Sequence, residues 1–200
     1  MSLFSKFFDK INPISEEEKE NDYNKFSPEN ELPIDELFIH NFKKNGGKFL
    51  YCENKSEVKE QLENILAEND WFESEALCYE PELFSNLEEN KIIFDKPTNP
   101  IFFLATCENL IAEEGSILFS SKQIKQRNPN ELPVNIIIIA TTSQIIGTKS
   151  DGLSVIKNKY VGNYPTNITA IKYFEKAAEE HFTQYGSKAK NLYLLLLENL

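Results

Sequence analysis

Three short segments of the chain carry residue types that could do chemistry. Glu113 lies between the apolar stretch at residues 107–111 and the apolar run at 117–119. A carboxylate in that setting is expected to be partly buried. Desolvation then raises its pKa and suits it to act as a base or nucleophile. The plain alternative is that Glu113 accepts backbone N–H bonds and shapes the turn at Gly115 and Ser116. Thr141, Thr142 and Ser143 close the apolar run at 136–140 and are read as a strand–turn–helix junction. Free N–H groups and the positive end of a helix dipole attract anions there, and hydroxyls add donors. Simple N-capping by Thr142 or Ser143 explains the same pattern. The third segment is 163–167, with Pro165, Thr166 and Asn167, and its candidacy rests on the family resemblance given below.

Other chemistries lack their parts. Neither G-x-G-x-x-G nor G-x-x-x-x-G-K-[ST] occurs, so no glycine-rich phosphate loop is expected. The G-x-S-x-G elbow of serine hydrolases is missing too. His40 and His181 are far apart, and His181 reads as a packed residue on an apolar helix face. Cys52, Cys78 and Cys107 are isolated, odd in number and without a C-x-x-C pair. That argues against a disulfide framework and against zinc or iron–sulfur sites, and for three small buried hydrophobes. No metal and no cofactor is expected.

Charge narrows the partners. The chain has 200 residues, 21 basic against 32 acidic, for a net charge of −11. Such a chain lacks the basic surface that neutralises nucleic-acid phosphates or holds an anionic membrane. No run approaches the roughly 18 apolar residues of a membrane span. The N-terminus lacks the apolar core of a signal peptide. A soluble cytoplasmic protein is expected, with neither nucleic acid nor membrane as partner.

The elements that must position these residues follow from periodicity. Residues 1–12 place Leu3, Phe4, Phe7, Phe8 and Ile11 at helical spacing, an amphipathic helix. Residues 13–32 read as an acidic flexible linker, and 33–200 as one α/β domain. Within it, a helix is predicted over 33–44 and a strand over 48–52. A second helix follows, capped by Ser56 and running to about Glu68. Strands follow at 76–79, 101–105, 117–120, 136–140 and 192–197, with a short one at 92–94. Residues 107–111 read as a helical turn, and about 143–157 as a helix. Thr169 is taken to cap a last long helix carrying Ile171, Phe174, Ala178 and Phe182. Continuous apolar runs of this length suit strands buried on both faces. The alternation with helices predicts a three-layer α/β/α domain around a mostly parallel sheet. Ligands of such sheets bind beyond the strand ends. Glu113, Ser116, Thr142, Thr166 and Gly186 are therefore expected around one cleft.

The stretch Ala112-Glu113-Glu114-Gly115-Ser116 before Ile117-Leu118-Phe119 resembles the LUD domain family, that of the lactate-utilisation protein LutC. There an alanine-glutamate-threonine-glycine-threonine segment precedes a strand. Leu132-Pro133 before residues 136–139, Tyr164-Pro165-Thr166, and Gly186 before the last strand keep the family's order. The resemblance implies the fold of the NagB, RpiA and CoA-transferase group. Departures concern the ligand site. Glu114 replaces a threonine, Asn167 an arginine, Tyr185 a histidine and Ser187 a proline, and an amide does not replace a guanidinium fork. The resemblance implies an accessory protein of lactate oxidation to pyruvate, with a small anionic ligand and iron–sulfur oxidoreductase subunits as partners. Such a protein need not be catalytic on its own. Two alternatives stay open. One is an enzyme acting on an acyl, CoA or phosphorylated substrate with Glu113 as its carboxylate. The other is an interaction module with a decayed pocket. The amphipathic N-terminal helix could dock on the same domain, on a twin subunit in a homodimer, or on a partner protein.

Overall fold

The computed structural model describes residues 32–174 and 190–199, all within one compact unit spanning Glu31–Leu200. The expected N-terminal helix, nearly all of the linker, His181, Tyr185, Gly186 and Ser187 lie outside the described residues.

The first helix, α1, covers Ile34–Lys44 and buries Phe38, Ile39 and Phe42 on one face. Strand β1, Lys48–Cys52, follows. Helix α2, Lys55–Glu68, starts at Asn54, whose side chain accepts the Glu57 N–H. Ser56, the expected cap, is already inside the helix. Asn54 takes the role because it is the extended residue immediately before the first turn. Then come β2 at Ala76–Leu77, α3 at Phe84–Glu89 and β3 at Phe102–Ala105. The remaining elements are β4 (Asn109–Ile111), β5 (Ser116–Ser120), α4 (Ser121–Ile124), β6 (Asn135–Thr141), β7 (Ile145–Ile146), α5 (Lys149–Lys159), β8 (Ile168–Ile171) and β9 (Asn191–Leu197).

Five strands make a wholly parallel sheet in the order β1-β9-β6-β3-β2. Its two faces are both buried, as the uninterrupted apolar runs require. Phe102, Leu104, Ile137, Tyr193 and Leu195 face α2 and pack with Leu62, Ile65, Leu66 and Trp71. The alternate residues Phe103, Ile136, Ile138, Leu194 and Leu196 point the other way and are equally inaccessible. Within the predicted strands, Phe49, Leu50 and Ile139 are only partly buried. The α/β class with a mostly parallel sheet is as the sequence predicts.

A second sheet, β7-β4-β5-β8, was not foreseen. Its centre is the antiparallel pair β4–β5, to which β8 adds antiparallel and β7 parallel. The predicted helical turn at 107–111 is instead the start of this sheet. Asn109, Leu110 and Ile111 are all buried, which suits a strand covered on both faces and not a half-exposed turn. Likewise the predicted helix at 143–157 begins later. Gln144 bonds back to Thr141, closing a single tight turn, and Ile145-Ile146 then pair with β4. Only after Thr148 and Asp151 bond reciprocally does α5 begin. Thr169, expected as a cap, lies in β8. The rest of that expected helix beyond Phe174 is outside the described residues.

Helix α5 covers the second sheet. Ile156 packs with Ile111 and Leu118. Gly152 lets the helix come close, since a Cβ there would stand 3.0 Å from Ile146 Cδ1 and from Leu118 Cδ2. Gly115 has φ +60, and a Cβ there would lie 2.3 Å from the backbone carbon of Asn41. The turn between β4 and β5 therefore seats directly on α1. Gly115→Ala is expected to lower the urea unfolding free energy by about 1–3 kcal/mol or more, through strain and overpacking. Gly162, at φ +79 with nothing within 4 Å, is the control and should cost clearly less as alanine. Equal effects at both positions would count against close packing at Gly115.

Candidate functional site

The parallel strands run toward one edge: β1, β9 and β6 end level at Cys52, Leu197 and Thr141, while β3 and β2 stop earlier, Ala105 beside Ile138 and Leu77 beside Phe103. Beyond that edge the chain gathers polar groups. Thr106 follows β3. Its N–H donates to Glu80 Oε2 at 2.7 Å, and its hydroxyl donates to Glu80 Oε1. Cys107 comes next and is buried. Burial, with Glu108 and Glu80 nearby, pushes its thiol well above the ordinary range, so it stays an unreactive thiol.

Glu108 is the centre of the cluster, with a side chain 1% exposed. Its Oε1 accepts from Ser120 Oγ at 2.6 Å, Tyr160 OH at 2.9 Å and Gln123 Nε2 at 3.1 Å. Its Oε2 meets Lys159 Nζ at 2.9 Å. Burial alone would raise its pKa, but the bonds from Ser120, Lys159 and Gln123, with the lysine's charge, outweigh that and hold it below the ordinary value. Glu80 goes the other way. Burial is the larger influence and lifts it above the ordinary carboxylate value despite the bonds from Thr106. Two carboxylates on one edge, one lowered and one raised, is the pattern of an acid–base pair. The geometry qualifies it: Glu108 is saturated with donors and serves as an anchor, and Glu80 is the carboxyl inclined to hold a proton.

The expected site residues divide between two ends of the molecule. Thr141, Thr142 and Ser143 lie at the strand ends. Asn199 Oδ1 accepts from Thr142 Oγ1 and Ser143 N, each at 3.0 Å. The donors expected to grip an anion are thus engaged by the chain itself, and no long helix begins there. Gln144 Nε2 donates to the Cys107 carbonyl at 2.6 Å, tying this turn to the Glu108 segment. Pro165, Thr166 and Asn167 join the same end through α4. Thr166 N donates to Ser121 Oγ, and Asn167 O accepts from Ser121 N.

Glu113, Gly115 and Ser116 are elsewhere. Asn41 Nδ2 donates to the carbonyls of Ala112 and Glu113, and Asn45 Nδ2 to those of Glu114 and Gly115. Asn45 directly precedes the start of β1, so this turn sits at the opposite end of the parallel strands from Thr142. The single cleft expected from the sequence does not form. Glu113 is also exposed, where partial burial was expected, because the hairpin turn points it away from both sheets. A cavity of about 730 Å³ adjoins this end, lined by Glu114, Lys149, Ala170, Lys172, Tyr173 and Lys190 among others. Lys190 is buried there, its ammonium on the carbonyls of Leu132 and Pro133.

Sequence reasoning missed Glu80, Glu108, Gln123 and Tyr160. One signal was available: Glu108 is a charged residue inside an otherwise apolar stretch. Its partners arrive from 12 to 52 residues away, which no local pattern reveals.

Two variants test the cluster. Glu108→Gln keeps the shape but removes the charge, and is expected to cost about 1–3 kcal/mol of stability at neutral pH. A carboxylate lowered by folding stabilises above its unfolded pKa and loses that contribution as pH falls through the folded pKa. The deficit of Glu108→Gln should therefore shrink on acidification below the ordinary value of 4.5. Glu80, raised by folding, gives the opposite sign. Its contribution is intact below the ordinary 4.5 and fades as pH rises through the folded pKa. Glu80→Gln should thus gain on the wild type as pH climbs from 4 towards neutrality, by about the size of the shift. Parallel urea midpoints across that range for all three proteins would refute both assignments.

Comparison with known proteins gives a consistent picture. The family profile described as the LUD domain matches residues 36–197. A crystal structure of a DUF162 family protein from Deinococcus radiodurans superposes with a TM-score of 0.58 at 14% identity, covering 83% of this chain and 99% of that one. At that identity the likeness speaks for the fold alone. Comparison with curated proteins found no match. With the family profile spanning both sheets and the polar edge between them, the chain belongs to the LUD domain family.

Proposed function

We propose that this protein is an accessory LUD protein of the LutC kind, serving the oxidation of lactate to pyruvate by holding a small anionic ligand and partner oxidoreductase subunits. The observation that carries this reading is the family match over residues 36–197. The geometry supports an accessory role over catalysis by the chain alone. The strand-end carboxylate Glu108 is spent on internal bonds, and the Thr142 and Ser143 donors are spent on Asn199. The three cysteines are each buried and free, which supports a division of labour with partner subunits carrying the iron–sulfur centres. Catalysis through Glu113 draws no support from the site, because the side chain is solvated. Should the protein act on an acyl substrate, Glu80 is the better carboxylate.

The N-terminal segment suits the partner contact. The sequence spacing of its three phenylalanines with Leu3 and Ile11 is that of an amphipathic helix, and a helix so short forms only against another surface. Affinity capture from native lysate of the source cells, followed by mass spectrometry, is expected to recover iron–sulfur oxidoreductase subunits. Deleting residues 1–12 should reduce that recovery severalfold. Depleting the protein should slow lactate-dependent respiration of the lysate, and adding it back should restore the rate. Capture without such subunits, together with unchanged lactate respiration, would overturn the reading.

A further inference from the structure

A second cavity, of about 630 Å³, opens past the end of β2 between the β2–α3 connection, the turn at 94–97 and the segment after α4. Its wall is aromatic. Phe84 and Phe94 lie with centroids 4.7 Å apart and rings tilted by 32°, and Tyr79 stands against Phe103. Cys78 completes the floor as a protonated thiol, since burial pushes it up to about 11. Three cations gather at this apolar surface: Lys96 and Arg127 in the lining and Lys125 over the Tyr79 ring at 5.7 Å. One lining carboxylate, Asp95, opposes them. The carboxylates of Glu80 and Glu82 also lie near Cys78, so the three cations offset nearby acids and do not form a net positive patch.

The donors are arranged for a ligand. Arg127 Nε donates to Tyr79 OH at 2.6 Å, which fixes the plane of the guanidinium. Neither Lys96 nor the terminal nitrogens of Arg127 engage any described residue. Tyr79 accepts from Arg127, so its own proton is turned away from the arginine. A guanidinium held flat by one bond, with its other edge open, matches the two oxygens of a carboxylate. Aromatic faces beside it suit a flat apolar body. Lys125 reaches Tyr79 from a backbone at φ +56 and ψ −129, a conformation that a lysine does not adopt for its own sake. The volume is that of an ordinary small-molecule pocket.

We propose that this cavity binds a small carboxylate with an aromatic or similarly flat apolar body, its carboxylate on Arg127, Tyr79 and Lys96 and its body against Phe84 and Phe94. This gives the small anionic ligand of the preceding reading a place and a chemical class. It rests on that reading only for its context, because binding is measured on the purified chain with no partner present. Calorimetric titration of the full chain with 2-naphthoate tests it, with 2-naphthamide as the uncharged twin and acetate as the anion without a body. One saturable site for 2-naphthoate is expected. The amide and acetate should each bind at least about tenfold more weakly, the loss of one charge-assisted or one apolar half of the contact. Arg127→Gln, an exposed change that leaves the core alone, should weaken 2-naphthoate by about tenfold and leave the amide unaffected. Phe84→Leu should weaken both ring compounds. No saturable binding of 2-naphthoate, equal binding of acid and amide, or indifference to Arg127→Gln would each overturn the assignment. Failure here with successful capture of oxidoreductase subunits would remove the ligand site and leave the partner reading standing.

Discussion

The arrangement of the two sheets hangs on one buried charge. Glu108 stands where the chain leaves the parallel sheet after β3 and enters the second sheet at β4. An ionised carboxylate at 1% exposure is costly unless every lone pair is used. The chain meets that demand with donors from β5, α4 and the end of α5. Each donor fixes its own element, so one desolvated group determines how the second sheet, its covering helix and the short α4 turn meet. Lys159 supplies the countercharge from a half-exposed position, where its other side remains hydrated. This makes the pair less costly than one sealed from water on both sides. Ser120 has two roles: it caps α4 and donates to Glu108.

The opposite end is held by amides without charge. Asn41 on α1 and Asn45 just past its end, one turn apart, bond four successive carbonyls of the β4–β5 turn. Two amides reading four carbonyls need the turn to lie flat against the helix, and Gly115 permits that approach. The second sheet is thus fastened at both ends, ionically at one and by neutral hydrogen bonds at the other. A ligand arriving at the strand ends meets a surface whose donors are already committed. The open donors lie to the side, past β2.

The parallel strands were legible because each is a continuous apolar run between polar punctuation. Residues 101–105 and 136–140 show this most clearly. Of the second sheet only β5 was legible, from its apolar run at 117–119; the strands at 109–111 and 145–146 are three and two residues long and owe their state to neighbours. Asn109-Leu110-Ile111 carries no alternation to distinguish strand from helical turn. Ile145-Ile146 is too short to carry any period. The candidate site was half legible. Thr141, Thr142, Thr166 and Asn167 do stand at the strand-end side, as their position after or before apolar runs suggested. Glu113 was misplaced because its expected burial assumed that the turn faced the core. Asn41 and Asn45, about 70 residues away, determine that it does not.

The strand order bears on how the chain comes to be folded. Among the described residues β9, the latest strand, lies between β1 and β6, and β1 has no other partner in the sheet. During synthesis β2, β3 and β6 can assemble as they emerge, but β1 must wait through about 140 residues for the strand that receives it. Until then β6 presents an unpaired apolar edge, and the nascent chain carries two open pairing surfaces of the kind that invite misassembly. Before β9 arrives, the strand order leaves the position between β1 and β6 unfilled. The segment Leu192–Leu196, buried throughout, is the piece whose arrival turns two separate parts into one domain.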